Sequence, residues 1–366
     1  MTEPAVPHLD FMLALHRAVA PDPRRQVCWS PFSVASALGL LASGARGATR
    51  DELVVVLGDL DALTTLVAAA GTLSPAASGE DEPLIAVSNT LWADAAVAIE
   101  PAFAARLRGW SGGAVRNAPF RAEPEKARGA INTDVAQTTR GLIPELIPAG
   151  AIGPDTVSAL VNALYLKCAW RYRFTERGTV ARPFHTPAGR VEVPTMTLTE
   201  QLGYAATGGW QVISMPAIGG VEAIVLLPDA DLAAAEPRLD GASLAGLLAA
   251  CRPTQVALQL PRLRLTTRAE LSDPLRALGV RTVFTDRADL SAISSDPLAV
   301  QAVLHESVLK IDEQGLEGAA ATAVMMRMTA MPPPPLPVAV DRPFLLLVRH
   351  GGSGAGYFLA RVTDPS

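Results

Sequence analysis

The chain has 366 residues, 49% of them hydrophobic, with 36 acidic against 31 basic side chains and a formal charge of −5. That apolar content builds a sizeable core and excludes a disordered chain, while the acidic balance, without any run of Lys or Arg, excludes a general polyanion binder and with it nucleic acid as a partner. The basic residues are almost all Arg, with Lys only at Lys126, Lys167 and Lys310, and the abundant Ala, Gly and Pro resemble the codon bias of a GC-rich bacterial genome.

In chain order, Leu9, Met12, Leu13 and His16 recur at helical spacing, so a helix opens the fold. Met1 to Val19 lack the basic start and continuous apolar stretch of a secretory signal, and no window has the length of a membrane span. A cytoplasmic location is therefore expected, with a secreted form left open. Ser30 before Pro31 predicts a helix start, since Ser accepts from orphan amides and Pro fits the first helical position; the helix runs from Phe32 to about Leu41. Thr49 and Glu52 have capping-box spacing ahead of Leu53 to Leu57, and a third helix is expected over Asp61 to Ala70.

Leu84 to Trp92 reads as a strand, and Val157 to Leu166 as a long one apolar on both faces, as in the middle of a covered sheet. Pro101 to Trp110 and Pro124 to Thr139 are helical candidates between them. Val191 to Val193, Gln211 to Met215, Ala223 to Leu227 and Val256 to Leu260 read as strands, and Glu270 to Leu278 as a helix ended by Gly279. The end is a hairpin, Phe344 to Val348 and Tyr357 to Val362, joined by a glycine-rich turn. Intermixed helices and strands without a βαβ rhythm give an α+β class.

One tract fits no element. From Ile311 to Met325 an acidic, glycine-containing joint leads into small residues and, past Met331, into Pro332, Pro333, Pro334 and Pro335. It reads as an Ala-rich helix, as a joint to a polyproline spacer, or as a loop with two conformations. Enzyme signatures are absent: there is no G-x-S-x-G, HExxH, P-loop or GxGxxG after a strand, and the five histidines lack metal-ligand spacing. Cys28, Cys168 and Cys251 read as isolated small hydrophobes. No enzyme activity, metal or cofactor is expected.

Several strings together are specific. Ser30-Pro31-Phe32-Ser33, Gly44 to Thr49, Val161-Asn162-Ala163-Leu164-Tyr165-Leu166-Lys167 with Trp170 and Phe174, His305 to Gly315, and Asp341-Arg342-Pro343-Phe344 resemble the serpin family in its order and over nearly the whole chain. The resemblance implies a single domain over 1–366 with three sheets, about eight or nine helices and an exposed reactive-centre loop at about 313–340. It implies a monomeric suicide inhibitor of serine proteases, with cysteine proteases a further class. The cleaved loop inserts into the central sheet as a new strand and traps the acyl-enzyme.

Residue by residue, the hinge matches Glu313, Gly315, Leu316, Glu317, Gly318, Ala319, Ala320, Ala321 and Thr322, and counting from it places the cut at Thr329–Ala330, with Met328 and Arg327 as alternatives. A small residue or Met before the cut points to elastase-, subtilisin- or chymotrypsin-like targets. Ser30, Ser33, Asn162 and His305 match a latch beneath the central sheet, where each is equally a satisfied core polar group, and Trp170 matches the tryptophan where insertion begins. Alternation places Leu316, Gly318, Ala320, Thr322, Val324 and Met326 inward and both charges, Glu317 and Arg327, outward. Leu316 stands where the family has Thr or Ser and Gly318 where inhibitors have Ala, so a non-inhibitory binding or carrier protein is the alternative. Insertion should stop before Pro332, which cannot donate to a ladder.

Overall fold

The computed structural model of the chain describes residues 6–77, 82–107, 110, 112–153, 156–316 and 334–366. Its helices are α1 (Val6–Val19), α2 (Pro31–Gly44), α3 (Gly47–Leu57), α4 (Leu60–Ala70), α5 (Pro101–Arg106), α6 (Pro124–Thr138), α7 (Leu232–Ala235), α8 (Gly241–Ala249) and α9 (Ser272–Ala277). Its strands are β1 (Val27–Trp29), β2 (Leu84–Asp94), β3 (Gly113–Ala118), β4 (Ser158–Ala169), β5 (Val180–Thr186), β6 (Gly189–Thr207), β7 (Trp210–Pro216), β8 (Val221–Pro228), β9 (Arg252–Pro261), β10 (Leu263–Glu270), β11 (Val303–Ile311), β12 (Gly315–Leu316), β13 (Leu336–Ala339), β14 (Phe344–His350) and β15 (Gly356–Val362).

The central sheet has the order β10-β11-β12-β4-β2-β3. One face packs on α2, and every residue of that helix except Ser43 is buried. Such a helix is apolar all round because sheets close over it from both sides, and it touches β2 and β4 of one sheet and β15 of the other. Across the opposite face lies α6, whose Ala127, Ile131 and Val135 cover Trp92, Val161 and Ala163. The second sheet runs β1-β15-β14-β8-β7-β6-β9-β13, with β5 paired to β6. Where three sheets were expected, the described residues form two hydrogen-bonded arrays. The 19-residue β6 is the reason: it pairs with β5, β9 and β7 along successive parts of its length.

Ser30 caps α2 as foreseen, accepting from the Ser33 amide at 3.2 Å. The proposed capping box of Thr49 and Glu52 does not form. Residue Arg46 precedes α3 without a side-chain cap, and the two side chains reach across to another segment: Thr49 Oγ1 accepts from Asp289 N at 2.9 Å, and Glu52 accepts from Arg281 N and Thr282 N, both at 2.7 Å. The helix expected over 270–278 is shorter. Glu270 ends β10, opposite Leu304, and its carboxylate accepts from Ser272 N at 3.0 Å and Val303 N at 3.1 Å. Among the described residues no single helix is long and apolar enough to cross a membrane.

Candidate functional site

The apolar run read over Val157 to Leu166 lies in the middle of the central sheet as β4. There β4 and β11 run parallel and pair directly from Val303 opposite Leu160 to Ser307 opposite Leu164. Above that stretch they part, and β12 lies between them: Leu316 is opposite Ile311 on one side and Cys168 on the other, with Gly315 opposite Ala169. The tract that favoured no element has thus already sent two residues into the sheet.

What holds those residues is a tight turn after β11. Asp312 Oδ1 accepts from Gln314 N at 2.9 Å and Gly315 N at 3.2 Å, while Asp312 N donates to Gly315 O at 3.1 Å. Gly315 is required by space: a Cβ there would lie 2.2 Å from the carbonyl oxygen of Cys168 and 2.8 Å from Ala169 Cα. Leu316 is fully buried. Trp170 closes the top, its Nε1 donating to Asp312 O at 2.8 Å and its backbone N to Gln314 O at 3.0 Å, with its ring edge-on to Phe174 at 6.2 Å.

Glu313 points into this joint and is 4% exposed. Arg262 clasps it with Nε at 2.9 and 3.0 Å from the two carboxylate oxygens and Nη2 at 2.6 Å, and the Thr179 hydroxyl donates to it as well. Burial alone raises this carboxyl, but the bonds from Arg262 and Thr179 outweigh it and hold the group below the ordinary value of 4.5. Arg173 donates to the Gln314 side chain at 2.7 Å.

Lower on the same seam, Ser30, Ser33, Asn162 and His305 lie together, all fully buried. His305 Nε2 accepts from the Ser30 backbone N–H at 3.1 Å, which places the ring proton on Nδ1, 2.6 Å from Asn162 Oδ1. Burial lowers the pKa of His305 to about 3, so the ring is neutral. The sequence reading missed the hub of this cluster. Asn89 Oδ1 accepts from Ser33 Oγ at 3.3 Å and from Asn162 Nδ2, and Asn89 Nδ2 donates to Ser36 Oγ at 2.9 Å. Its signal was present: an Asn inside the apolar run Leu84 to Trp92 must be buried and so must find partners.

Arg262, Thr179 and Arg173 were also missed, since nothing local marks a side chain that reaches a turn far along the chain. The expected hinge residues Glu317, Gly318, Ala319, Ala320, Ala321 and Thr322, and the cut-site residues Arg327, Met328, Thr329 and Ala330, lie outside the described residues. Glu313 to Leu316 belong to the sheet and its turn, so the loop is narrower than 313–340; Leu336 to Ala339 pair with β9 as β13. Cys28 and Cys168 are buried, and burial pushes both thiols up to about 12, which removes them as nucleophiles.

A sequence model of the family described as "Serpin (serine protease inhibitor)" matches residues 8–365. Serpin-Z2A of Triticum aestivum is 31% identical over 93% of this chain and 90% of its own length, and Iripin-2 of Ixodes ricinus is 30% identical over 96% and 91%. These relatives, from a cereal and a tick, lend no support to the bacterial source read from composition. Among solved structures, thyroxine-binding globulin in complex with thyroxine superposes with a TM-score of 0.86 over 99% of both chains at 22% identity, a likeness of fold alone.

Proposed function

This chain belongs to the serpin family, and we propose that it is a suicide inhibitor that traps a serine protease by drawing its own cleaved loop into the seam between β4 and β11. The observation that carries this reading is the register at the mouth of that seam. Where β4 and β11 touch, Val303 faces Leu160; where β12 separates them, Ile311 and Cys168 face the same residue, Leu316. The offset is identical, so the strands part without slipping past one another.

A strand continuing from β12 therefore meets both neighbours in one register. Counting down, Thr322 arrives opposite Asn162 on β4 and His305 on β11, the pair now facing each other at the latch. Met326 arrives opposite Ser158, the first residue of β4. Leu316, Gly318, Ala320, Thr322, Val324 and Met326 then share one face, and Leu316 on that face is already fully buried between Ile311 and Cys168. The bulk of Leu316, which kept the carrier reading open, is accommodated, and this favours inhibition.

Arg327 to Thr329 fall just past the end of β4 in this register, which suits a cut at Thr329–Ala330 and leaves the acyl-enzyme at the far end of the filled seam. Ten further residues, 317–326, add on the order of ten backbone hydrogen bonds at ~1 kcal/mol each, comparable with the whole ~5–15 kcal/mol stability of a domain. The loop-out form is then held kinetically, with the paired stretch around His305 and Asn162 as the part that must open. The targets by this reading are elastase-, subtilisin- or chymotrypsin-like enzymes.

The test is incubation with those proteases and with trypsin, read by denaturing gel and by mass spectrometry of the cut. An SDS-resistant complex with cleavage after Thr329 is expected. Cleavage without complex and without a rise in the unfolding temperature of the cut protein would instead make the chain a substrate and revive the carrier reading.

A further inference from the structure

The chain as a whole carries a charge of −5, yet the segment that joins β4 to β5 is basic. Residues 170–182 hold Arg171, Arg173, Arg177 and Arg182 against a single acid, Glu176. Arg173 and Glu176 are both engaged by the Gln314 side chain. Arg171 and Arg177 are exposed, and among the described residues neither side chain has a hydrogen bond or an ion pair. The acids of the neighbouring turn do not balance them: Glu313 is held by Arg262 and Thr179, and Asp312 accepts from two backbone amides.

The place of this segment gives the charge a meaning. Trp170 N and Phe174 N donate to Gln314 O and Glu313 O at 3.0 and 3.2 Å, so the segment wraps the turn that leads into β12. From there β5 runs to His185, whose N donates at 2.8 Å to Asp341 O, two residues after the end of β13. The surface therefore reaches from the start of the loop to its return. Among the described residues five large apolar side chains are exposed, and three of them stand here: Tyr172 at 37%, Val180 at 47% and Leu336 at 37%. A lone exposed apolar residue needs no explanation, but Tyr and Val set between unpaired arginines have the composition of a protein interface.

We propose that Arg171, Tyr172, Arg177 and Val180 form a docking surface for the target protease, which meets it with an acidic face beside its active-site cleft. This rests on the inhibitory reading above and names the kind of target it selects. A protease that holds the loop in its cleft is brought over both ends of the loop, so the rim of the cleft comes down on this surface. The rest of the chain is acidic and repels such a partner, so two unpaired guanidinium groups at this one place both speed the encounter and orient it. The apolar side chains between the cations favour a folded protein over a polyanion, which is gripped by many cations along its backbone.

The experiment follows consumption of the intact chain by subtilisin, native and with its surface lysines succinylated, which turns cations into carboxylates. Consumption counts cut and trapped chain together, so it reads the encounter whichever follows, and the ratio of the two on a denaturing gel tests the inhibitory reading separately. Each rate is divided by that of the same enzyme on a short peptide substrate. The succinylated form is expected to consume the chain about tenfold faster than the native form at low salt, and this advantage to vanish by about 0.5 M salt. Arg171→Glu combined with Arg177→Glu should erase the advantage at an unchanged unfolding temperature. Arg24→Glu combined with Arg25→Glu makes the same charge change on exposed residues elsewhere and should keep most of it. Tyr172→Ala should slow consumption several-fold at any salt. Equal rates for the two enzyme forms, the same loss in the Arg24 and Arg25 variant, or an advantage that survives in the Arg171 and Arg177 variant would each overturn the proposal. So would retention of the chain on immobilised heparin that the Arg171 and Arg177 variant loses, which assigns the surface to a polyanion.

Discussion

Arg262 holds both carboxylate oxygens of Glu313 at the mouth of the central sheet, and thereby ties the residue that precedes β12 to the junction of β9 and β10. Since Glu313 is buried and Arg262 half exposed, removing the cation leaves a carboxylate with Thr179 as its remaining side-chain donor. Arg262→Met is expected to destabilise the chain by about 1–2 kcal/mol, less than for a fully buried pair because water reaches the guanidinium. Urea unfolding at neutral pH measures it.

The same contact sets a pH dependence. The Glu313 carboxyl is held below 4.5 in the folded chain, so its contribution is present above the unfolded value and is lost as pH falls through the lower, folded one. Acid should loosen the turn that carries Glu313 from about pH 4.5 downward. Glu313→Gln is expected to lower stability at neutral pH and to flatten that part of the acid limb, measured as unfolding temperature against pH.

His305 titrates in a different window. Its folded pKa is about 3 against 6.5 in the unfolded chain, so the neutral ring contributes fully above pH 6.5 and the contribution is lost as pH falls from there towards 3, on the order of 5 kcal/mol in all. His8, lowered to about 4 by burial, acts over much of the same range. His305→Gln should therefore remove only part of the slope below pH 6.5 while costing about 1–3 kcal/mol at neutral pH for the displaced bonds to Ser30 and Asn162. An unchanged slope would show that the latch does not sense pH.

How far the sequence reached can be judged residue by residue. Helix starts and strands written in local signals, such as Ser30-Pro31 and the run Val157 to Leu166, appear where expected because caps and apolar periodicity act over a few residues. Glu52 shows where that logic ends: a spacing that reads as a local cap is used for a bond to Thr282, a choice made by tertiary packing. Ser30, Asn162 and His305 were singled out by resemblance, and Asn89 was marked as buried by its apolar run, whereas the partners of Asn89 and the reach of Arg262 could be placed only once distant strands were side by side. Gly315 was legible as a joint, but the 2.2 Å approach to Cys168 that demands glycine was not.

That approach yields a direct prediction. Gly315→Val puts a branched side chain against the backbone of β4, so β12 must leave the seam or the strands must spread, at about 1–3 kcal/mol. The stoichiometry of inhibition should rise, with more molecules cleaved per protease trapped, because insertion begins from an expelled hinge. Titration of protease activity against inhibitor measures this ratio, and an unchanged value would mean that β12 is no starting point for insertion.

The sharpest test of the register uses two neighbouring positions. If the strand continues from Leu316 in step with Cys168 and Ile311, Thr322 enters the buried face between His305 and Asn162, and Ala321 faces outward. Thr322→Arg would bury an unpaired charge at the latch, a penalty of several kcal/mol that outweighs a similar fraction of the insertion energy. Complex formation should fall by about tenfold or more, each ~1.4 kcal/mol on the competing step being worth a factor of ten, and the protease should turn the chain over as substrate. Ala321→Arg carries the same charge on the opposite face and should retain most of the trapping. Parallel gels of the two variants with one protease decide the matter: equal loss in both, or the greater loss in Ala321→Arg, means that the strand enters in another register.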